Sequence, residues 1–344
     1  MFQSKSNQQS FGQKLQFISI LRIFSALLIF MCHAVQISGQ PIIISTANFF
    51  SIGVQIFFVL SALCFGLQGD IKNPLKWYGK RIKRIYAPYE IFVLVLFIIS
   101  SLKSKIYPAA DWIKLILGVQ GTRIDILGAE HTWYISSLLI CYVLTPLFSF
   151  AYGKLCTATK FKKALFAVFW AVLFILLSFI PENAFHIIVP SFFFLIAYFC
   201  GRNYSHIKLN KQTAIISAVC LALFGVLRIL LSLPLALPDM VYRLSTNIST
   251  FGIALSFVFL CAVIFKNFKS NKVIEFFDGI SFEFYLYHMM FVFGPAYIHL
   301  FKHIWPLRAF AIFIISIAAA ALMNLVCKLF YTAINKFFRK DMKK

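Results

Sequence analysis

Residues 21–34 read LRIFSALLIFMCHA, an apolar stretch with an arginine near its start and a histidine near its end. The stretch lies within an apolar run, residues 17–37, that is long enough to cross a hydrocarbon core of about 30 Å. Similar runs recur along the chain, which has 344 residues, of which 61% are hydrophobic. The mean hydropathy is +0.84. The sequence therefore predicts an all-α integral membrane protein whose first run is retained, because no small-residue cleavage signal follows it.

Ten apolar runs are candidates for membrane-spanning helices, and we expect them to form one bundle. They cover residues 17–37, 49–68, 87–102, 132–150, 162–180, 184–200, 212–232, 249–266, 280–300 and 308–332. The sequence shows no internal repeat and no low-complexity linker between them. We therefore expect a single transmembrane domain over residues 1–344, with short cytoplasmic tails at 1–14 and 335–344.

The distribution of lysine and arginine between these runs predicts the orientation of the bundle. Segments on the side of the N-terminus hold 23 of the 33 basic residues, and the opposite segments hold 7. The other three, Arg22, Arg228 and Lys328, lie inside the runs. Because basic residues accumulate in cytoplasmic loops, we expect both termini in the cytoplasm and an even number of spans in the cytoplasmic (inner) membrane. The net charge of +22 is explained in this way, with membrane lipids rather than nucleic acid as partners.

The eight cysteines occur singly, and none forms a CxxC pair. Most of them lie inside apolar runs, where a cysteine usually behaves as a small buried hydrophobic residue. The spacing therefore predicts neither a disulfide framework nor a metal site.

Arg22 and His33 are the two ionisable residues of the opening stretch. Their separation of eleven residues corresponds to about three helical turns, which places them on one face and about 16 Å apart along the axis. An arginine within a membrane costs at least about 2.5 kcal/mol on insertion scales and usually faces a polar interior. Arg22 could instead extend to the cytoplasmic interface, and His33 could be hydrogen-bonded between helices. Their common face favours one polar cavity.

The segment WYGKRIKRIYAPY, residues 77–89, follows the second run and is predicted to be an internal loop. Arg81 and Arg84 are three residues apart and share a face if the segment is helical. Paired guanidinium groups match the geometry of phosphate oxygens. The same segment could instead lie against anionic lipid headgroups.

The fourth run begins with EHTWYISSLL, residues 130–139. Glu130 and His131 are adjacent at the predicted outer interface, where they could form an acid–base pair or an ordinary solvated loop end. Trp133 is typical of the aromatic belt that lies at membrane interfaces.

The ninth run contains SFEFYLYHMMF, residues 281–291. Ser281, Tyr285 and His288 are spaced by four and three residues, so they lie on one helix face. His288 is predicted to lie about 10–12 Å inside the membrane, at a depth between those of Arg22 and His33.

Five stretches together resemble the acyltransferase family 3 membrane proteins, of the bacterial O-antigen and exopolysaccharide O-acetyltransferase type. They are, in family order, LRIFSALLIFMCH, GVQIFFVLSA, KRIKRIYAPY, HTWYISSLLICYVLTP and SFEFYLYH, and they extend from about residue 15 to 330. Two positions depart from the family pattern. Gln55 stands where many members have an acidic residue, which could change a polar contact, and Ala62 stands where glycine usually follows Ser61, which could alter close helix packing.

The resemblance implies a membrane O-acyltransferase that modifies surface polysaccharide, including lipopolysaccharide. Such an enzyme moves an acyl group, usually acetyl, from cytoplasmic acyl-coenzyme A to a hydroxyl of a cell-surface carbohydrate or a lipid-linked glycan. Acyl-coenzyme A, usually acetyl-coenzyme A in this family, would be a donor substrate and not a permanently bound cofactor. The resemblance also implies that Arg22 and His33 are the paired signature residues, Arg81 and Arg84 the arginine pair, and His288 the histidine of the ninth span.

Acyl transfer from a thioester to an alcohol needs a base for the hydroxyl proton and stabilisation of the oxyanion. We expect catalytic roles for His33, His288 and Glu130, and substrate-binding roles for Arg22, Arg81, Arg84, Ser61, His131, Trp133, Ser281 and Tyr285. His33 is the expected general base, since histidine exchanges protons near neutral pH, but a role as a transient nucleophile stays open. His288 could orient the substrate or stabilise the oxyanion.

A polytopic transporter or flippase of a glycan or another small substrate is the alternative function. Such proteins also hold arginine and histidine in polar pathways through the membrane. The missing internal repeat argues against a transporter. Consumption of acyl-coenzyme A would separate the two functions, because a carrier moves its substrate without a donor.

Overall fold

The computed structural model describes the backbone of residues 16–120, 124–177, 179–233, 236–301 and 303–341, and their side chains except at 182, 183, 185 and 333–341. The predicted tail at 1–14 lies outside the described residues. The predicted tail at 335–344 begins as the end of the last helix, and residues 342–344 lie outside the described part.

The described residues form helices joined by short connections, with about 80% of the chain helical and no strand among them. The helices are α1 (Gln16–Ala34), α2 (Pro41–Ser45), α3 (Ala47–Phe50), α4 (Ile52–Leu67), α5 (Pro74–Leu102), α6 (Ala109–Leu117), α7 (Trp133–Cys156), α8 (Lys160–Leu177), α9 (Glu182–Arg202), α10 (Lys211–Leu230), α11 (Asp239–Ile264), α12 (Lys272–Val292) and α13 (Trp305–Asp341). Short 3₁₀ turns follow α1 at Val35–Ser38 and precede α7 at Glu130–Thr132.

Each of the ten predicted runs overlaps one of the longer helices. Within the described part of the chain, seven helical segments are long and apolar enough to cross a membrane: Gln16–Ser38, Pro41–Leu67, Pro74–Leu102, Glu130–Cys156, Lys211–Leu230, Asp239–Ile264 and Trp305–Thr332. These helices confirm the all-α membrane class. The number of ten spans and the cytoplasmic placement of both termini stay predictions.

Helix α5 begins thirteen residues before the predicted run at 87–102, so residues 77–89 are helical and not a loop. The Asn73 side chain accepts a hydrogen bond from the backbone N–H of Lys76 at 2.9 Å, and Pro74 occupies the first helical position. Both features favour a helix start at this point. Pro88 therefore lies inside α5 and does not open it. The arginine pair consequently stands on a rigid helix.

Helices α1, α4 and α12 form the centre of the bundle. Helix α1 packs against α4 and α12, α12 packs against α13, and α4 packs against α9, which packs in turn against α7. The largest cluster of buried apolar residues draws side chains from α1, α4, α5, α7, α9, α11 and α12. These central helices carry the residues that the sequence motifs single out.

Glycines allow α4 to approach its neighbours closely at both ends. A Cβ at Gly53 would lie 2.6 Å from the Ser25 carbonyl oxygen of α1, and one at Gly66 would lie 2.3 Å from the Tyr198 carbonyl oxygen of α9. Gly201 of α9 makes the reciprocal close approach, since a Cβ there would lie 2.5 Å from the Leu63 carbonyl oxygen. Ala62 is fully buried between these contacts. Close packing of α4 thus uses the flanking glycines, with the small side chain of Ala62 buried between them.

Helices α8 and α10 form a more loosely packed part of the structure. Helix α8 has no buried residue, and in α10 only Ser217 is buried. Helix α10 packs mainly against α11, where the Phe224 ring occupies the space that a Cβ at Gly252 would need, only 2.4 Å away. This part carries none of the predicted site residues.

Candidate active site

A cavity of about 780 Å³ opens at the end of the bundle where α5, α12 and α13 meet. Its lining includes six basic side chains, Arg22, Lys80, Arg81, Lys83, Arg84 and Lys328, and two acidic ones, Asp278 and Glu283. Ser61 and Ser281 also line it. We call this space the basic cavity. Its excess of positive charge favours an anionic occupant.

Arg22 faces this cavity with about a third of its side chain exposed, and it is paired with Asp278. The Nη1 and Oδ1 atoms of the two residues are 3.4 Å apart, and the Ser19 hydroxyl donates to the other carboxylate oxygen at 2.8 Å. The second guanidinium nitrogen lies 3.8 Å from the Cys64 sulfur. Arg22 is therefore held by α4 and α12 and does not extend to a lipid interface.

Arg81 and Arg84 stand at the opening of the basic cavity. The Arg81 guanidinium donates to the Gln68 side-chain oxygen and lies over the rings of Phe65 and Trp77, at 4.8 and 5.6 Å from their centres. Aromatic rings on this side fix the plane of the guanidinium group. Arg84 is exposed, so it is available to a ligand that enters from this end.

Three aromatic side chains close the inner end of the basic cavity. Phe57 and Tyr134 line it, and Tyr285 lies behind them with ring-centre distances of 6.5 and 5.4 Å to the two. Tyr285 is only 2% exposed, and its hydroxyl donates to the His131 carbonyl oxygen at 2.5 Å. We call Phe57, Tyr134 and Tyr285 the aromatic partition.

Three histidines, His33, His131 and His288, meet on the other side of Tyr285. The ring centres of His33 and His288 are 5.3 Å apart, and those of His131 and His288 are 5.2 Å apart. Tyr285 lies 5.0 Å from His131 and 6.1 Å from His288 by the same measure. We call these residues the histidine cluster. None of the three is among the residues that line the basic cavity, so Arg22 and His33 occupy two compartments.

The hydrogen bonds of His288 fix which ring nitrogen carries the proton. Its Nδ1 lies 2.6 Å from the Tyr285 carbonyl oxygen and 3.3 Å from that of Phe284. A carbonyl oxygen can only accept, so Nδ1 donates and Nε2 holds a lone pair. Among the described residues, Nε2 is buried and has no hydrogen-bond partner. His288 therefore presents an unoccupied base.

The same reasoning assigns the proton positions on the rings of His131 and His33. His131 Nε2 lies 3.1 Å from the Leu286 carbonyl oxygen, so its Nδ1 holds the lone pair and has no partner within the described part of the chain. Gln36 Nε2 donates to the Cys32 carbonyl oxygen at 2.8 Å and lies 3.5 Å from His33 Nδ1. An amide nitrogen only donates, so this long contact favours the His33 tautomer in which Nδ1 accepts and Nε2 carries the proton. His33 thus presents a donor where His288 presents an acceptor.

The remaining motif residues lie apart from the histidine cluster. Glu130 is exposed and its carboxylate accepts the backbone N–H of Gly128 at 2.8 Å, while the Trp133 ring packs on His186 at 4.2 Å. Successive residues of a 3₁₀ turn point about 120° apart, which directs His131 inward and Glu130 outward. Gly128 has φ +87°, and a Cβ there would lie 2.9 Å from the Gly294 Cα. This contact holds the start of α7 against the end of α12, beside His288.

Sequence reasoning missed three residues that position this site. Asp278 pairs with Arg22 and lies one turn before Ser281, whose hydroxyl donates to the Asp278 carbonyl oxygen at 2.8 Å. Gln36 fixes His33, and Asn324 donates to Glu283 at 2.8 Å. A search for acidic residues on the face of Ser281 would have found Asp278. Gln55 has a side-chain oxygen that is buried and unpartnered among the described residues, in the helix that contributes Phe57 and Ser61.

The described residues contain no group of three or more His, Cys, Asp or Glu side chains arranged to hold a metal ion.

In comparisons with known proteins, the model of acyltransferase family 3, described as an acyltransferase domain, matches residues 15–325. No curated protein matches the chain, and no solved structure matches it.

Proposed function

The chain belongs to acyltransferase family 3, and from this membership we propose that it transfers an acyl group, usually acetyl in this family, from acyl-coenzyme A to a hydroxyl of a carbohydrate or lipid-linked glycan. The family match and the apolar helices make the chain a multi-pass membrane acyltransferase. The observation that carries the proposal is the meeting of the basic cavity and the histidine cluster across Tyr285.

The basic cavity is the proposed site of the donor. Coenzyme A carries a pyrophosphate and a 3′-phosphate, and the guanidinium groups of Arg81 and Arg84 suit such oxygens. The volume of about 780 Å³ lies within the range of roughly 300–1,000 Å³ that is usual for small-molecule sites. The donor is made in the cytoplasm, so this end of the bundle would face the cytoplasmic side, as the distribution of basic residues predicts.

The slender pantetheine arm would run along Arg22 toward the aromatic partition. Arg22 is already paired with Asp278, so we assign it a polar wall and not a free phosphate site. Ser61 and Ser281 line the same stretch of the cavity. The thioester would reach the histidine cluster when the Tyr285 and Phe57 side chains move apart.

The histidine cluster is the proposed site of acyl transfer. His33 is near the end of α1, His131 precedes α7, and His288 lies near the end of α12, so all three are at the end opposite to Arg84. An acceptor hydroxyl would enter from that end. Glu130 and Trp133 lie at this end as well, and we assign them to the acceptor entrance and not to the chemistry.

The fixed protons assign separate roles to His288 and His33. The acceptor hydroxyl would give its proton to His288 Nε2 as its oxygen bonds to the acyl carbon. The His33 Nε2–H would donate to the oxyanion of the tetrahedral intermediate. The carbon–sulfur bond then breaks, and the proton returns from His288 to the leaving thiolate. The base in this scheme is His288, whereas the sequence alone favoured His33.

The test is thiol release from acetyl-coenzyme A by the purified chain in liposomes, with a crude cell-envelope fraction as acceptor. Transfer requires thiol release that depends on the acceptor fraction and is lost in His288→Ala. Labelled glycan that crosses the liposome membrane without thiol release would instead make the chain a transporter and overturn the proposal. A matched His299→Ala variant controls for loss of a histidine elsewhere in the loop after α12.

A further inference from the structure

A second cavity, of about 870 Å³, lies between α8, α9, α10 and α11. It shares no lining residue with the basic cavity. Most of its lining is aromatic or aliphatic, including Phe166, Trp170, Phe174, Phe192 and Phe251. We call it the lateral groove, and its apolar walls suit a hydrocarbon chain.

The lateral groove has one polar end. Lys163 lines it there, and the Tyr152 hydroxyl donates to the Asn203 side-chain oxygen at 2.9 Å on the same rim. Lys160 and Lys162 precede Lys163 by three residues and one residue, and both are exposed. None of the described residues that line the groove is acidic. The charge at this end therefore complements an anionic headgroup.

The depth of the groove corresponds to a single leaflet. Lining residues of α8 extend from Lys163 to Phe174, and those of α9 from Asn203 back to Phe192. Each span of eleven residues measures about 16 Å along a helix, close to half of a hydrocarbon core of about 30 Å. Ring contacts bridge the deep end, with Phe174 5.3 Å from Phe193 and Phe193 4.5 Å from Phe251.

The packing around α8 leaves this space unfilled by the described side chains. Helix α8 has no buried residue, and it meets α9 through ring pairs such as Trp170–Phe192, with centres 4.5 Å apart. An empty apolar space of this size would forfeit the dispersion contacts of its walls. A hydrocarbon chain from the bilayer restores those contacts.

We propose that the lateral groove is a binding site for one anionic glycerophospholipid, with an acyl chain between α8, α9 and α11 and the phosphate at Lys163. The lipid comes from the leaflet at the end that carries Arg81 and Lys163. It would act as a structural component of the bundle, separate from the donor and the acceptor.

The proposal is tested with the full chain in liposomes that contain a photoreactive phosphatidylglycerol, with a diazirine on its acyl chain, or the matching phosphatidylcholine. Crosslinked residues are mapped by mass spectrometry. We expect crosslinks to concentrate on α8, α9 and α11, with the anionic lipid favoured about fivefold, because one lysine near anionic lipid contributes about 1 kcal/mol.

Two pairs of matched variants sharpen the test. Lys163→Glu should abolish the preference for the anionic lipid, whereas Lys162→Glu, outside the lining, should keep it. Ala167→Trp should fill the groove and remove the crosslinks, whereas Ala164→Trp on the same helix should not. Residues 164 and 167 are both exposed, so either variant should fold.

Three results would overturn the proposal. Crosslinks spread evenly over the lipid-facing helices would show ordinary surrounding lipid only. An anionic preference that survives Lys163→Glu would place the headgroup elsewhere. Displacement of the crosslinks by a polyprenyl-phosphate sugar, but not by excess phosphatidylglycerol, would make the groove an acceptor site.

Discussion

The basic cavity and the histidine cluster are separated by the ring of Tyr285, yet they are built in opposite ways. In the basic cavity the cations are partly or fully exposed, and among the described side chains Arg22 alone of them is paired with a carboxylate. In the histidine cluster His131 and His288 are at most 4% exposed, and each is fixed by a backbone carbonyl oxygen. Binding of a phosphate-rich donor tolerates mobile, hydrated cations, whereas proton transfer needs rings with one defined tautomer.

The difference assigns the two steps of the reaction to different sets of residues. Substitutions in the histidine cluster should act on the chemical step and lower kcat. Substitutions in the basic cavity should act on donor binding and raise KM.

Loss of His288 should have the largest effect. His288→Ala removes the buried Nε2 that accepts the hydroxyl proton, and general-base catalysis contributes about 10²–10⁴-fold. We expect kcat for thiol release to fall by that factor, with little change in the KM for acetyl-coenzyme A. Steady-state kinetics in liposomes measure both values. Equal losses in His288→Ala and His299→Ala would contradict an assigned role for this ring.

His33 should be replaceable by another N–H donor, whereas His288 should not. His33→Ala should lower kcat by about 10²–10³-fold, the usual cost of losing one oxyanion donor. His33→Gln retains an amide N–H and should recover about tenfold or more of that loss, since a hydrogen bond to a charged group contributes about 1.5–3 kcal/mol.

The corresponding control is His288→Gln, which should recover nothing, because a glutamine amide cannot take up a proton at neutral pH. Recovery in His288→Gln but not in His33→Gln would reverse the two roles. His33 would then be the base that the sequence alone suggested.

Much of this site could be predicted from the sequence, since periodicity places residues on helix faces. The spacing of Ser281, Tyr285 and His288 predicted one face of α12, and all three are buried there. The spacing of Arg22 and His33 predicted one polar cavity, whereas Arg22 lines the basic cavity and His33 lies beside His288. Helix periodicity does not reveal which residue of another helix fills the gap between them. The Phe57–Tyr285 contact of the aromatic partition and the Arg22–Asp278 pair each join residues more than 200 positions apart.

The positions at which the helices begin and end also could be predicted only in part from the local sequence. The apolar runs located all the longer helices, but α5 and α11 begin well before their runs. In α5 the Asn73 cap and Pro74 at the first helical position allow polar residues to remain helical. A prediction from hydropathy alone places the end of a helix where its apolar run ends. The arginine pair was therefore predicted on a loop, although its spacing already suited a helix face.

Loss of an arginine at the basic cavity should have a smaller effect and a different signature. Arg81→Ala and Arg84→Ala should each raise the KM for acetyl-coenzyme A by about tenfold. This factor corresponds to the weaker charge-assisted hydrogen bonds, because both guanidinium groups are hydrated. The value of kcat should stay nearly constant. The increase should shrink at high salt, since exposed charges are screened within about 10 Å at 0.1 M.

Lys211→Ala is the matched control for the arginines, because Lys211 is an exposed cation at the start of α10, outside the cavity lining. Its KM should equal that of the wild type. A fall in kcat without a change in KM in Arg84→Ala would break the separation between binding and chemistry.

Removal of one hydroxyl from the aromatic partition should have the smallest effect. Tyr285→Phe keeps the ring between the two compartments but deletes the hydrogen bond to the His131 carbonyl oxygen. The net contribution of such a bond is about 0.5–1.5 kcal/mol, so kcat should fall by about 2–10-fold. Tyr287→Phe is the control, since the Tyr287 hydroxyl is buried without a partner among the described residues and its loss should cost nothing. If both variants lower kcat equally, the partition hydroxyl does not position His131, and Tyr285 contributes to the site only through its ring.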